Sequence, residues 1–393
     1  MKNLNPGPII LVFGTRPEII KLAPVYFALK KLGIKTLLCS TAQHEQMLQA
    51  AMDVFGIKED FNLKVMKPGQ DLFYLTSTIL ERLRKVFCEV QPSLVVVQGD
   101  TTTTFSAALA AFYLQIPVAH VEAGLRTGEI YSPFPEEVNR KLVACLSSLN
   151  FCPTSNAVAN LVSEGVKRES IFLVGNTVKD SLRIILEKIK SGLLKPSKQL
   201  EEKIVSAKSL GKKIVLLTTH RRESFDGGIQ EILSSIKTYA LENENVQFFY
   251  PHHLNPNVLQ AMEKVKIEGV KNISCFPPVN YIDLVYLLHE SNVIVTDSGG
   301  IQEEAACLNK PAIIVREFTD RPETIWAGLA KVVGTEKTKI INCLDQFLFG
   351  KFQHTDEGSS LYGDGFSAEK IARIIEEKYS FLKKINQKQK EAS

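Results

Sequence analysis

Leu94-Val95-Val96-Val97-Gln98 runs straight into Gly99-Asp100-Thr101-Thr102-Thr103-Thr104. A strand with one solvated face alternates apolar and polar residues. This run does not, so it reads as a parallel strand covered by helices on both sides. The abrupt change to Gly, Asp and Thr marks the strand's carboxyl end and the start of a helix. Lys213-Ile214-Val215-Leu216-Leu217-Thr218-Thr219 repeats the pattern in the second half of the chain. Working outward from the first run, strands are expected at Ile9–Phe13, Lys35–Cys39, Val118–Val121, Asn150–Pro153 and Ile171–Val174. A second series is expected around the later run, at Val246–Tyr250, Ile273–Phe276, Val293–Thr296, Ala312–Arg316 and Lys331–Val333. Helix-length amphipathic segments fill the gaps. Alternation of β and α means an α/β, doubly wound fold.

The two series are separated by a lysine-rich, polar, helical stretch from about Ile184 to Lys213, preceded by a turn at Gly175-Asn176-Thr177. With 393 residues and roughly 150 residues per domain, two Rossmann-like domains facing a cleft are expected. The first spans 1–175 and the second 176–367. The net charge of +4 is small and dispersed, which argues against nucleic acid and suits an anionic small substrate. The seven cysteines include no C-x-x-C pair and sit mostly in apolar runs, the pattern of reduced thiols in a cytoplasmic protein. The seven histidines lack zinc spacing. The N-terminal apolar run, Ile9 to Phe13, is too short for a signal-peptide core, and no apolar stretch reaches membrane-spanning length.

Ligands of open α/β sheets sit outside the carboxyl ends of the strands, so polar residues that follow strands are the candidates. Gly14-Thr15-Arg16-Pro17-Glu18 opens a helix carrying Lys21. A helix N-terminus beside two cations reads as an anion site, or as a capped helix with solvated basic residues. Asp100 reads as an N-cap or as a carboxylate placed for proton transfer. Glu122 ends the apolar segment Pro117-Val118-Ala119-His120-Val121. A carboxylate there is costly unless paired or functional, whereas His120 reads as structural. Pro133-Phe134-Pro135 aim the next segment, in which Glu136 and Arg140 share a helix face as a surface ion pair or as site residues. His220 follows the second fully apolar strand and reads as a phosphate partner or part of a capping loop. In Thr296-Asp297-Ser298-Gly299-Gly300-Ile301-Gln302-Glu303-Glu304, bare N–H groups at Gly299 and Gly300 could approach a diphosphate. Glu304, one turn on, could accept ribose hydroxyls, and Arg316 and Arg321 could add positive charge.

The ordered set GTRPEIIKLAPV, TAQHEQML, GDTTTT, HVEAGLRTG, YSPFPEEVNR, GNTV, THRRES, HLNPNV, TDSGGIQEEA, RPE and YGDG resembles the non-hydrolysing UDP-N-acetylglucosamine 2-epimerases over almost the whole chain. The resemblance implies a GT-B-like fold, with a C-terminal helix at 368–385 crossing back to the first domain. It implies no cofactor, no metal, UDP-N-acetylglucosamine as substrate and a homodimer in the cytoplasm. Asp100, Glu122, Glu136 and His220 then correspond to catalytic residues. Arg16, Lys21, Arg140, Ser298, Gly299, Gly300, Glu304 and Arg321 correspond to substrate- and UDP-binding residues. Gln43, Gln46 and His253 match the position where some relatives bind a second UDP-N-acetylglucosamine as activator.

The chain departs from the family pattern in four places. Gly69 stands where some relatives carry an activator-site arginine, and Leu284 where an aromatic often lies near the uracil. His252 replaces a small apolar residue, and Ser360-Leu361 precede YGDG where Asn-Pro is common. The expected reaction is reversible conversion to UDP-N-acetylmannosamine by elimination and re-addition of UDP. The alternatives are an epimerase of a modified UDP-hexosamine uronic acid, a GT-B glycosyltransferase, and an inactive nucleotide-sugar-binding protein.

Overall fold

The computed structural model describes residues 7–42, 45–67, 69–219, 227–319, 321–350 and 360–378. The chain divides into two compact units, Met1–Ser181 with Gly363–Ser393, and Leu182–Tyr362. Each is an α/β unit built on one parallel sheet.

In the first unit the strands are β1 (Ile9–Phe13), β2 (Thr36–Ser40), β3 (Phe61–Asn62), β4 (Leu94–Gln98), β5 (Val118–Val121), β6 (Leu149–Cys152) and β7 (Ile171–Leu173). Between them run α1 (Arg16–Lys31), α2 (Glu45–Phe55), α3 (Leu72–Val90), α4 (Thr102–Tyr113), α5 (Glu136–Leu146) and α6 (Ser155–Ser163), and α7 (Thr177–Lys190) follows β7. The sheet order is β3-β2-β1-β4-β5-β6-β7, and every pairing is parallel. All five residues of β1 and of β4 are buried, as two covered faces require. Residues of α3 and α4 such as Ile79, Leu83, Ala107 and Ala111 pack on Ile10, Val12, Val95 and Val97.

Two contacts show how local sequence is reconciled with this packing. Pro24 lies inside α1 and has no N–H to offer the Ile20 carbonyl one turn back; the Ser181 hydroxyl donates to that carbonyl instead. A helix starting at 367 has its first N–H groups, Ser367 and Ala368, bound by the Asp180 carboxylate at 3.2 and 2.9 Å. A buried carboxylate is a good partner for such orphan donors.

The second unit contains α8 (Lys198–Ser209), β8 (Lys213–Thr218), α9 (Gly228–Glu242), β9 (Val246–Pro251), α10 (Pro256–Val265), β10 (Ile273–Phe276) and α11 (Tyr281–Glu290). It continues with β11 (Val293–Thr296), α12 (Gly299–Cys307), β12 (Ala312–Ile314), α13 (Pro322–Trp326), β13 (Ala330–Val332) and α14 (Lys337–Leu348). Its six strands run β10-β9-β8-β11-β12-β13, all parallel. Val215, Leu217, Phe248 and Val295 form the core with Ile232 and Ile236 of α9.

The strands expected from sequence are all present, with ends that match or shift by one or two residues. β12 stops at Ile314, although the Val315 N–H still donates to Thr296 at 3.0 Å. β3 was not anticipated. It is a two-residue edge strand, Phe61-Asn62, too short to show a period. Among the described residues, no helix is long and apolar enough to cross a membrane.

Candidate functional site

In each sheet one strand has a lower-numbered and a higher-numbered half of the unit on opposite sides. This places adjacent strand ends where the chain departs in opposite directions, the position at which open α/β sheets bind ligands. In the first unit that point lies between β1 and β4. The turns there touch closely: a Cβ on Gly14 would lie 2.3 Å from Thr41 Oγ1 and 2.4 Å from Thr103 Oγ1. Only glycine fits that approach.

Glu18 organises this turn. Its carboxylate accepts the N–H of Gly14 at 2.9 Å and of Thr15 at 2.7 Å, together with the Thr15 hydroxyl at 2.8 Å. Its second oxygen accepts the hydroxyls of Thr101 at 2.7 Å and Thr104 at 3.1 Å. The start of α1 is therefore tied to the start of α4. Burial raises the Glu18 pKa above the usual carboxylate range, and the hydrogen bonds from Thr101, Gly14 and Thr15 oppose that rise. The sequence signal was Thr15-x-x-Glu18, the reciprocal capping pattern. Arg16, half-buried, is the first residue of α1.

Lys21, on the same helix, pairs with Glu122, and both side chains are nearly buried. The Gln98 amide at the end of β4 also donates to Glu122 Oε2, at 3.0 Å. Glu122 has φ of 66°, a left-handed backbone unfavourable for a non-glycine residue. Glu122 immediately follows β5, whose Val121 lies opposite Gln98. His120, one strand position before Val121, donates through Nε2–H to the Gly99 carbonyl oxygen at 2.7 Å. Burial pulls its pKa down to about 4, so the ring is neutral near pH 7 and acts as the Nε2–H donor. It locks the β4 turn rather than facing chemistry.

Asp100 sits at the next turn, partly exposed. Arg140 donates to its Oδ2 through Nε at 2.9 Å and Nη2 at 2.8 Å. Asn139 donates to the Asp100 carbonyl at 2.9 Å. Arg140 also meets Glu137 at 3.1 Å. Glu136 is the first residue of α5 and half-buried, following cis peptides at Ser132–Pro133 and Phe134–Pro135. Glu136 and Arg140 share a face of α5, as their spacing predicts, and Arg140 is tied to Asp100 and Glu137. Asp100, Glu122, Lys21 and Arg140 are thus gathered along the β1–β4–β5 edge of one unit.

The corresponding point of the second unit lies between β8 and β11. Thr218 and Thr296, paired in register, share a hydroxyl hydrogen bond of 2.7 Å, and the Ser298 N–H returns to Thr296 Oγ1 at 3.0 Å. This sets Ser298 as the N-cap residue of α12, with Gly299 buried and Gly300 exposed in its first turn. A Cβ on Gly300 would meet nothing nearer than Ser298 Oγ at 4.0 Å. A helix start with small residues and a forward-pointing set of N–H groups suits a phosphate. Glu304 accepts the Tyr281 hydroxyl at 2.8 Å. Arg321, buried, pairs with Glu303, and its backbone N–H donates to Thr319 Oγ1 at 3.1 Å. Gln302 links this loop to α12 through Thr319 Oγ1, which donates to its side-chain oxygen at 2.7 Å.

His220 and Gln43 lie outside the described residues. Gln46 is in α2, and its side chain is likewise outside the description. His253, in the second unit, is exposed and accepts the Asn255 N–H through Nδ1 at 3.0 Å. Sequence reasoning passed over Glu18, Gln98, Glu137, Tyr281 and Glu303 as site residues. Glu137 stands three residues before Arg140, a helical ion-pair spacing, whereas Gln98, Tyr281 and Glu303 carry no local signature because their partners lie 24, 23 and 18 residues away. Among the described residues, no group of three or more His, Cys, Asp or Glu side chains could hold a metal ion.

Comparison with known proteins gives a consistent result. The family model described as UDP-N-acetylglucosamine 2-epimerase matches residues 28–376. A probable UDP-N-acetylglucosamine 2-epimerase of Ralstonia solanacearum is 41% identical over 373 residues, covering 94% of this chain and 98% of that protein. The crystal structure of a Neisseria meningitidis UDP-GlcNAc 2-epimerase bound to UDP-GlcNAc superposes with a TM-score of 0.83 at 40% identity, covering 94% of this chain and all, 100%, of that one. A Methanocaldococcus jannaschii UDP-GlcNAc 2-epimerase in complex with UDP-GlcNAc and UDP gives 0.76 at 33% identity, covering 94% and 99%.

Proposed function

This chain belongs to the UDP-N-acetylglucosamine 2-epimerase family, and we propose from that premise that it inverts carbon 2 of UDP-N-acetylglucosamine, reversibly, to give UDP-N-acetylmannosamine. The observation that carries the reading is the pair of carboxylates, Asp100 and Glu122, each held by a cation at one strand edge. They occur in a chain whose relatives at 41% identity bear that activity in their names.

The proposed route is elimination followed by re-addition. The C1–O bond to UDP breaks with its electron pair going to the diphosphate, while a carboxylate takes the C2 proton and a C1=C2 double bond forms. A second acid returns a proton to the opposite face of C2, and the UDP oxygen re-adds at C1. Loss of the C1 substituent develops positive charge at C1, which acidifies the otherwise unactivated C2–H. Two requirements follow: donors for the departing diphosphate, and protonation groups on both faces of C2. Asp100, Glu122 and Glu136 are assigned to proton transfer, with His220 as a catalytic or phosphate-side partner. Ser298, Gly299, Gly300, Glu304 and Arg321 are assigned to UDP, together with Arg16 and Lys21, and Arg140 to the substrate beside Asp100. The homodimer rests on family resemblance, and the cytoplasmic setting on the cysteine pattern.

Proton NMR of the purified protein with UDP-N-acetylglucosamine in heavy water tests the reading. Deuterium at C2 together with UDP-N-acetylmannosamine signals is the expected result. Free N-acetylmannosamine would mean hydrolysis, and an unchanged spectrum would overturn the assignment.

A further inference from the structure

We infer that Glu137 is a positioning residue for the proposed reaction, holding Asp100 through Arg140 and fixing the Thr127–Gly128 loop at the same time. The inference rests on the epimerase reading for its kinetic part only.

Glu137 is fully buried, yet it is the second residue of a helix whose other acidic residue, Glu136, is half-exposed. A carboxylate enclosed in protein is strongly unfavourable unless its lone pairs are filled. They are filled from two directions. Oε1 accepts the Gly128 N–H at 3.2 Å, and Oε2 accepts the Thr127 N–H at 3.1 Å and Arg140 Nη1 at 3.1 Å. The Arg140 guanidinium is itself buried, and its remaining edge, Nε and Nη2, grips a single oxygen of Asp100. One face of the fork is therefore anchored by Glu137 while the other presents Asp100. A planar guanidinium transmits orientation because all its N–H directions are fixed together. Without Glu137 the arginine would lose the contact that sets its plane, and the Asp100 carboxylate would lose its rotational stop.

The loop contact gives Glu137 a second task. Thr127 and Gly128 follow Glu122 within the same connection from β5, and Thr127 Oγ1 closes that loop by donating to the Ser132 carbonyl at 2.6 Å. Two backbone N–H bonds to a buried carboxylate hold the loop against local opening. The same side chain therefore couples the Asp100 turn after β4 to the segment leading away from Glu122 after β5. Neither residue touches Glu137 directly, so the effect is on placement and not on proton transfer by Glu137 itself.

E137Q keeps the volume and one acceptor but removes the charge. Misplacing a reacting group by about 1 Å costs on the order of 100-fold in rate, so kcat of E137Q should fall about 100-fold, with KM and the calorimetric Kd for UDP within about twofold of wild type. E137D keeps the charge with a shorter reach and should recover part of the loss, giving about a tenfold reduction; it also keeps the test usable if E137Q does not fold. Hydrogen exchange of the amides of Thr127 and Gly128 should accelerate in either variant while protection in β1 and β4 is retained. Unchanged kcat in both variants, or a loss taken through KM and UDP affinity, would overturn the positioning role. Unchanged exchange at Thr127 and Gly128 would overturn the clamp even if wild-type protein turned over no UDP-N-acetylglucosamine, a result that would instead remove the activity reading.

Discussion

The two sheets have the same plan at their switch points but furnish them differently. At β1 and β4 the edge is crowded with charges that already have partners: Glu18 is enclosed by N–H and hydroxyl donors, Glu122 is paired with Lys21, and Asp100 with Arg140. At β8 and β11 the edge is made of backbone and small residues, with Thr218, Thr296 and Ser298 shaping a helix start at Gly299-Gly300. Topology supplies the location in both cases. Side chains decide whether it becomes a set of fixed charges suited to moving protons or a set of N–H dipoles suited to an anion.

The sharpest way to break that contrast is to neutralise the first edge alone. Glu122→Gln should lower C2 deuterium exchange about 1000-fold, the scale of general acid–base contributions, while calorimetric UDP affinity stays within about twofold. A parallel loss of UDP binding would show that Glu122 serves the UDP site through Lys21 and not proton transfer alone. Lys21→Met tests the pairing itself. It leaves Glu122 nearly buried without its cation, which should lower stability by about 3 kcal/mol in urea denaturation; a change below about 1 kcal/mol would show that the pair is readily replaced by solvent.

A third test uses His120, whose folded pKa is depressed from 6.5 to about 4 by burial. The unfolded chain takes up that proton first, so this stabilisation is complete above about pH 6.5. It is lost progressively as the pH falls toward 4. Between pH 6.5 and 5 the loss should be about 2 kcal/mol, read from denaturation midpoints, and His120→Gln should lack that part of the slope. An identical slope in the variant would assign the acid sensitivity elsewhere. The smallest effect separates folding from binding at the second edge. Gly300→Ala adds a Cβ into open space within a helix, so stability should rise by about 0.5 kcal/mol. UDP affinity should drop about tenfold as the backbone loses its close approach to phosphate. Affinity unchanged by the methyl group would place the diphosphate away from this turn.

Much of the molecule was readable along the chain because it depends on short-range pattern. The doubly apolar runs at Leu94–Gln98 and Lys213–Thr218 required parallel, covered strands, and the polar breaks after them marked where a ligand site would form. Asp100, Glu122 and Ser298 stood out because each lies within two residues of a strand's carboxyl end. The two-residue strand Phe61-Asn62 left no such trace, because pairing with β2 is all that makes it a strand.

What only the tertiary structure decided was partnership. Arg140, four residues from Glu136, turns to Asp100 across 40 positions, and Lys21 reaches Glu122 across 101. Helical spacing lists which neighbours a side chain could meet, whereas the strand order determines which distant turns arrive beside it. Burial then enforces the choice, since a carboxylate as enclosed as Glu137 or Glu18 persists only where the fold brings enough donors to surround it.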